Sequence, residues 1–106
     1  MNVSRYTTPE LGIIFPNSVT PSDITEFWVT ITQGQTIKID RTKTSFTQDA
    51  QNPQRFSTVL TELETASLVD DLDCELQVRA AIDGQAVASS ITVLSVSDVL
   101  KEGEIL

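Results

Sequence analysis

Between residues 26 and 32, polar and apolar side chains take turns. Phe27, Val29 and Ile31 fall on one side, with Glu26, Trp28, Thr30 and Thr32 on the other. A period of two belongs to a strand with one buried face, so 24–32 is predicted to be a strand. Gln33-Gly34 predicts a turn, because Gly34 can take a positive φ. Ile37 and Ile39 then alternate with Lys38 and Asp40, completing an early hairpin. Residues 74–82 repeat the rhythm, with Cys74, Leu76, Val78, Ala80 and Ile82 set against Glu75, Gln77, Arg79 and Ala81. Asp83-Gly84 follows directly and suits a type I′ turn, in which both central residues need positive φ. A return strand over 85–96 is expected, with Val87, Ile91 and Val93 on one face and Ala88, Leu94 and Val96 on the other.

Shorter runs complete the β pattern. Glu10 to Phe15 reads as a strand with Leu11, Ile13 and Phe15 on one face. It ends at Pro16, which has no N–H for a ladder and biases Phe15 toward extended backbone. Residues 55–60 read as another strand, and Phe46, among Thr44, Ser45 and Thr47, as a short one. Residues 1–9 read as a polar lead-in. Only 61–68 departs from β. Thr61 can cap a helix and Glu64, three positions on, has the capping-box spacing. One to two helical turns are expected there, pinned by Leu63 and Leu68, since so short a helix needs packing to persist.

No helix is long enough to cover a sheet, and an uncovered sheet would leave an apolar face in water. The predicted fold is all-β: a small Ig-like β-sandwich of about seven mainly antiparallel strands, with one short helical turn near 62–68. A compact barrel is the alternative. The 106 residues suffice for one domain. Residues 1–97 are assigned to it and 98–106 to an acidic C-terminal tail.

Charge and side-chain inventory narrow the function. Fifteen acids against seven bases give a net charge of −8, which repels nucleic acid and anionic membrane. Neither is an expected partner. No stretch reaches the roughly 20 apolar residues of a membrane span. Met1 to Tyr6 lacks the apolar run of a signal peptide, so synthesis in the cytosol is expected. There is no histidine, and the single cysteine, Cys74, stands between Asp73 and Glu75, which disfavour a thiolate. With no activated nucleophile and no Gly-rich phosphate loop, the chain reads as a non-enzyme without a cofactor.

Two groups of residues are singled out. Asp70, Asp71, Asp73 and Glu75 are a weak candidate for a cation site, against the alternative of a solvated turn leading into a strand. Trp28, with Thr30 and Thr32 on the same outward face, is a candidate protein interface, the alternatives being a loop, the N-terminus or the acidic tail folded over it, or a ligand stacked on the indole. Phe46, on a lightly guarded strand edge, and Leu100 and Ile105, in the tail, are further interface candidates, the alternatives being solvent and a covering loop at the edge and disorder in the tail.

The opening Ser4-Arg5-Tyr6-Thr7-Thr8-Pro9, the central Phe27-Trp28-Val29-Thr30-Ile31-Thr32-Gln33-Gly34 and the late Leu60-Thr61-Glu62-Leu63-Glu64-Thr65 resemble small proteins encoded among the tail genes of phages and prophages of Gram-positive bacteria. Val78-Arg79-Ala80 and the Asp83-Gly84 hairpin share in the likeness, which extends to the Ig-like head domain of siphophage baseplate proteins. The resemblance implies a structural or interaction module made in the bacterial cytoplasm and incorporated in a phage-like particle. Its partners would be copies of itself or other tail proteins. A soluble ligand- or partner-binding sandwich unrelated to a virion is the alternative. No catalytic or binding residue carries over.

Overall fold

The computed structural model describes residues 2–89 and 91–106. The long alternating runs are strands: β3 (Ile24–Gln33) pairs antiparallel with β4 (Thr36–Thr42) on one side and β7 (Cys74–Ile82) on the other. The expected early turn lies one residue later than predicted. Gln33 still pairs with Thr36, and Gly34 and Gln35 carry the positive φ values, 54° and 71°. Asp83 and Gly84, at φ 49° and 76°, close the late hairpin from β7 to β8 (Gln85–Ala88) as a type I′ turn requires.

The return strand of that hairpin is not continuous. It breaks after Ala88 and resumes as β9 (Thr92–Ser97), which pairs with the other end of β7. The lead-in also contributes a strand. β1 (Asn2–Ser4) runs parallel to β9 and buries Val3. Three residues are too few for a period to show.

The large sheet has the order β1-β9-β7-β3-β4, with β8 beside β7. A smaller sheet faces it, formed by β2 (Glu10–Ile14), β6 (Arg55–Val59) and β5 (Thr47–Gln48) in the order β2-β6-β5. The fold is a β-sandwich of nine strands among the described residues, mainly antiparallel. Phe27, Val29 and Ile31 are at most 1% exposed, as their phase predicted. Phe27 is the hub of the core. Its ring lies 5.7, 5.0 and 5.2 Å from those of Phe15, Phe46 and Phe56. Such tilted and edge contacts add about 0.5–1.5 kcal/mol each beyond the buried area.

The short helix α1 (Glu62–Ala66) begins with the expected capping box. The Glu64 N–H donates to the Thr61 hydroxyl and the Thr61 N–H to the Glu64 carboxylate. Leu68 is buried, but Leu63 is 61% exposed. The helix turns Glu62 and Thr65 inward instead. The Thr65 hydroxyl accepts from the Thr7 N–H and donates to the Thr7 carbonyl, so its burial costs no unmade bond. Arg5 closes the far end of α1. Its Nε donates to the Leu68 carbonyl and its Nη2 to that of Ala66, satisfying carbonyls that a helix end leaves open.

The tail is tied to the sandwich at two points. Arg5 Nη1 pairs with Asp98 at 3.0 Å and Glu102 at 3.4 Å. The backbone N–H groups of Ile105 and Leu106 each donate to the buried Glu62 carboxylate at 2.9 Å.

Candidate functional site

The two sheets differ in width, and the difference creates the candidate site. At the β9–β1 end, Val3, Leu94 and Val96 are buried, as are Thr65 and Leu68, and the segment after α1 is tied to β9 by the Asp71 N–H, which donates to the Val96 carbonyl. At the β8 end the cover is incomplete. The pairing of Ala80 with Val87 puts Val87 on the inner face, yet Val87 is 44% exposed. Val78 and Ile82, on that same face, are only partly buried.

A groove of about 550 Å³ follows, within the roughly 300–1,000 Å³ of small-molecule sites. Val78, Ala80, Ile82 and Val87 form its floor, and Ile13 of β2 and Phe15 just beyond that strand form its facing wall. Val19, in the loop after β2, lies at its margin. Among the described residues, polar side chains enter at the Asp83–Gln85 turn and at Ser89, and Asp83 is the only ionisable residue in the lining. The site is therefore made for apolar contact with an acid at one end.

The comparisons with known proteins show fold alone. No protein-family model matches the chain. No curated protein matches either. Among solved structures, CopC from Methylosinus trichosporium OB3b superimposes with a TM-score of 0.57 over 96% of this chain and 87% of its own, at 14% identity. The sandwich architecture is thus shared with CopC.

The residues singled out from the sequence lie elsewhere and are not brought together. Trp28 is 41% exposed on the outer face of the large sheet, in register with Thr42 and Arg79. Thr30 donates to Asp40 across β3 and β4 at 3.0 Å. Thr32, opposite Glu75, helps line a shallow dent of about 90 Å³ on that outer face. Phe46 is half-buried directly before the edge strand β5. Its ring packs on that of Phe27, against the core. Leu100 and Ile105 stand exposed on the tail.

The acidic residues do not converge. Among the described residues no group of three or more His, Cys, Asp or Glu side chains is placed to hold a metal ion. The loop holding Asp70, Asp71 and Asp73 is shaped from within by Gln33, which is 4% exposed. Its amide donates to the carbonyls of Val69 and Leu72 and accepts from the Val69 N–H. Asp71 takes a positive φ of 58°, and Glu75 lies exposed on β7. Cys74 is buried on the inner face of β7, and burial, aided by the charge of Asp73, pushes its thiol pKa up. That is the opposite of what a nucleophilic thiol needs.

Sequence reasoning missed the groove. Val78, Ala80 and Ile82 read as ordinary core positions, and periodicity says which face a residue takes, not whether anything covers it. The mixed faces of 85–96 were the available signal, since they mark a strand whose surroundings change along its length.

Proposed function

We propose that this chain is a non-catalytic binding module that holds an apolar guest in the groove between β2 and the β7–β8 hairpin. The observation that carries this reading is Val87, an inward-facing aliphatic residue left 44% exposed over an apolar trough of about 550 Å³. Contiguous exposed apolar surface mostly marks a place where something binds. The absence of histidine and the buried, protonated Cys74 support a non-catalytic role. The fold shared with CopC is compatible with it. Assembly into a phage-derived tail particle rests on the sequence resemblance and draws nothing from these features.

Titration with the neutral fluorophore N-phenyl-1-naphthylamine tests the proposal. Saturable enhancement is expected. Val87→Lys, which puts a charge on the groove floor while the backbone of β8 stays paired, is expected to weaken it by about tenfold or more. Absence of binding, or equal binding by the variant, would refute the groove as the site.

A further inference from the structure

We infer that the guest is an extended peptide segment of a basic partner protein, which adds as a strand along the open edge of β2 and lays alternate apolar side chains into the groove. This rests on the groove being the binding site and names what fills it. β2 and β8, the strands that flank the opening, are both outermost in their sheets. In an antiparallel ladder, alternate residues turn both N–H and C=O to the same neighbour. The Phe15 N–H donates to the Gln54 carbonyl and the Leu60 N–H to the Pro9 carbonyl. Odd-numbered residues of β2 therefore face β6, and Glu10, Gly12 and Ile14 turn their backbone groups to the open side. On β8, the Ser89 N–H donates to the Val78 carbonyl, so Ala86 and Ala88 turn theirs outward.

Edges of this kind are normally guarded by lysine, proline, a bulge or a covering element. β2 carries no lysine or proline within its span, and its pairing with β6 has no register shift, unlike both pairings of β3. Its charged residue, Glu10, is held by Arg55, whose guanidinium lies over Gly12. Five residues give about 17 Å of open edge, enough for a typical strand. A row of backbone donors and acceptors beside an apolar trough fits a polypeptide and would go unused by a hydrocarbon chain.

Charge selects the partner. Asp83 ends the groove, and its N–H donates to the Asp23 carbonyl at 3.0 Å, which holds a second exposed acid beside it. A second copy of this chain would bring another net charge of −8 to the same place. A segment with lysine or arginine beside its apolar run is complementary.

The test uses a short fluorescein-labelled peptide that alternates valine and threonine and ends in lysine, followed by fluorescence anisotropy. Binding is expected, with displacement of N-phenyl-1-naphthylamine. Methylation of alternate peptide amides should abolish it, and glutamate in place of lysine should weaken it. Gly12→Pro removes an outward N–H without deleting a β2–β6 hydrogen bond, and its ring pushes aside the flexible Arg55 guanidinium that a Cβ there would meet at 3.1 Å. It is expected to reduce peptide affinity by about threefold to tenfold while binding of the small fluorophore persists. Equal binding of the methylated peptide would overturn the strand assignment, and so would fluorophore binding without any peptide binding. Failure of both ligands would overturn the groove itself.

Discussion

Glu64→Ala is the substitution whose consequence is most fully specified by the structure. The Glu64 carboxylate accepts the Thr61 N–H at 2.9 Å, closing the capping box. It also accepts Nε of Arg41 at 2.9 Å and a second bond from Arg41 Nη2, tying α1 to β4. The pair is largely enclosed, with side chains 18% and 25% exposed, so solvent screens it only in part. The Thr61 hydroxyl still caps the backbone N–H of residue 64, so only the reciprocal bond from the Thr61 N–H is lost, at about 0.5–1.5 kcal/mol, and loss of the charge-assisted bonding to Arg41 costs about 1.5–3 kcal/mol. Arg41 keeps its bonds to the Thr58 hydroxyl and the Val59 carbonyl, which favours the lower end. A total of about 2–3 kcal/mol corresponds to a fall in melting temperature of about 10–15 °C for a domain of this size.

The pH dependence supplies an independent check. The hydrogen bonds from Arg41, opposed by burial and aided by the Thr61 N–H, hold the Glu64 carboxyl below its ordinary pKa. Its stabilisation is therefore complete above the unfolded value of about 4.3 and lost as pH falls through the lower folded value. Melting followed by far-ultraviolet circular dichroism should show a wide gap between wild type and Glu64→Ala near neutrality, closing in acid. A gap that stays constant with pH would refute the ionic contribution, and unchanged melting would refute the whole account.

Two further perturbations separate the faces of the sandwich. Phe27 and Trp28 are adjacent, but Phe27 is 0% and Trp28 41% exposed. Phe27→Ala should cost about 3–5 kcal/mol and Trp28→Ala about 1 kcal/mol or less. Comparable denaturant midpoints for the two variants would contradict the assignment of faces. Cys74 should resist alkylation by iodoacetamide in the native protein and react promptly in urea, because both burial and its raised thiol pKa oppose attack. Rapid native labelling would show that the inner face of β7 opens more readily than its packing allows.

Several features were legible in the chain because they are set over a few neighbouring residues. The faces of β3 follow from a period of two. The Asp83-Gly84 turn follows from its demand for positive φ, and the Thr61–Glu64 box from a spacing of three. The failures lie where the deciding contact comes from far along the chain. Leu63 lost its expected place over the core because Thr65 meets Thr7 and Glu64 meets Arg41, and together they set the roll of α1. Phe46 packs against the core because Phe27 is there to receive its ring.

The amino-acid sequence by itself determined that these residues form strands and which side of each is apolar, since both follow from local backbone geometry. Tertiary structure alone decided how many strands each sheet holds and how far one overhangs the other. That mismatch leaves Val87 and its neighbours uncovered beside the open edge of β2. It arises from pairings between residues distant in the chain, such as β1 with β9 and β2 with β6, which local periodicity does not encode.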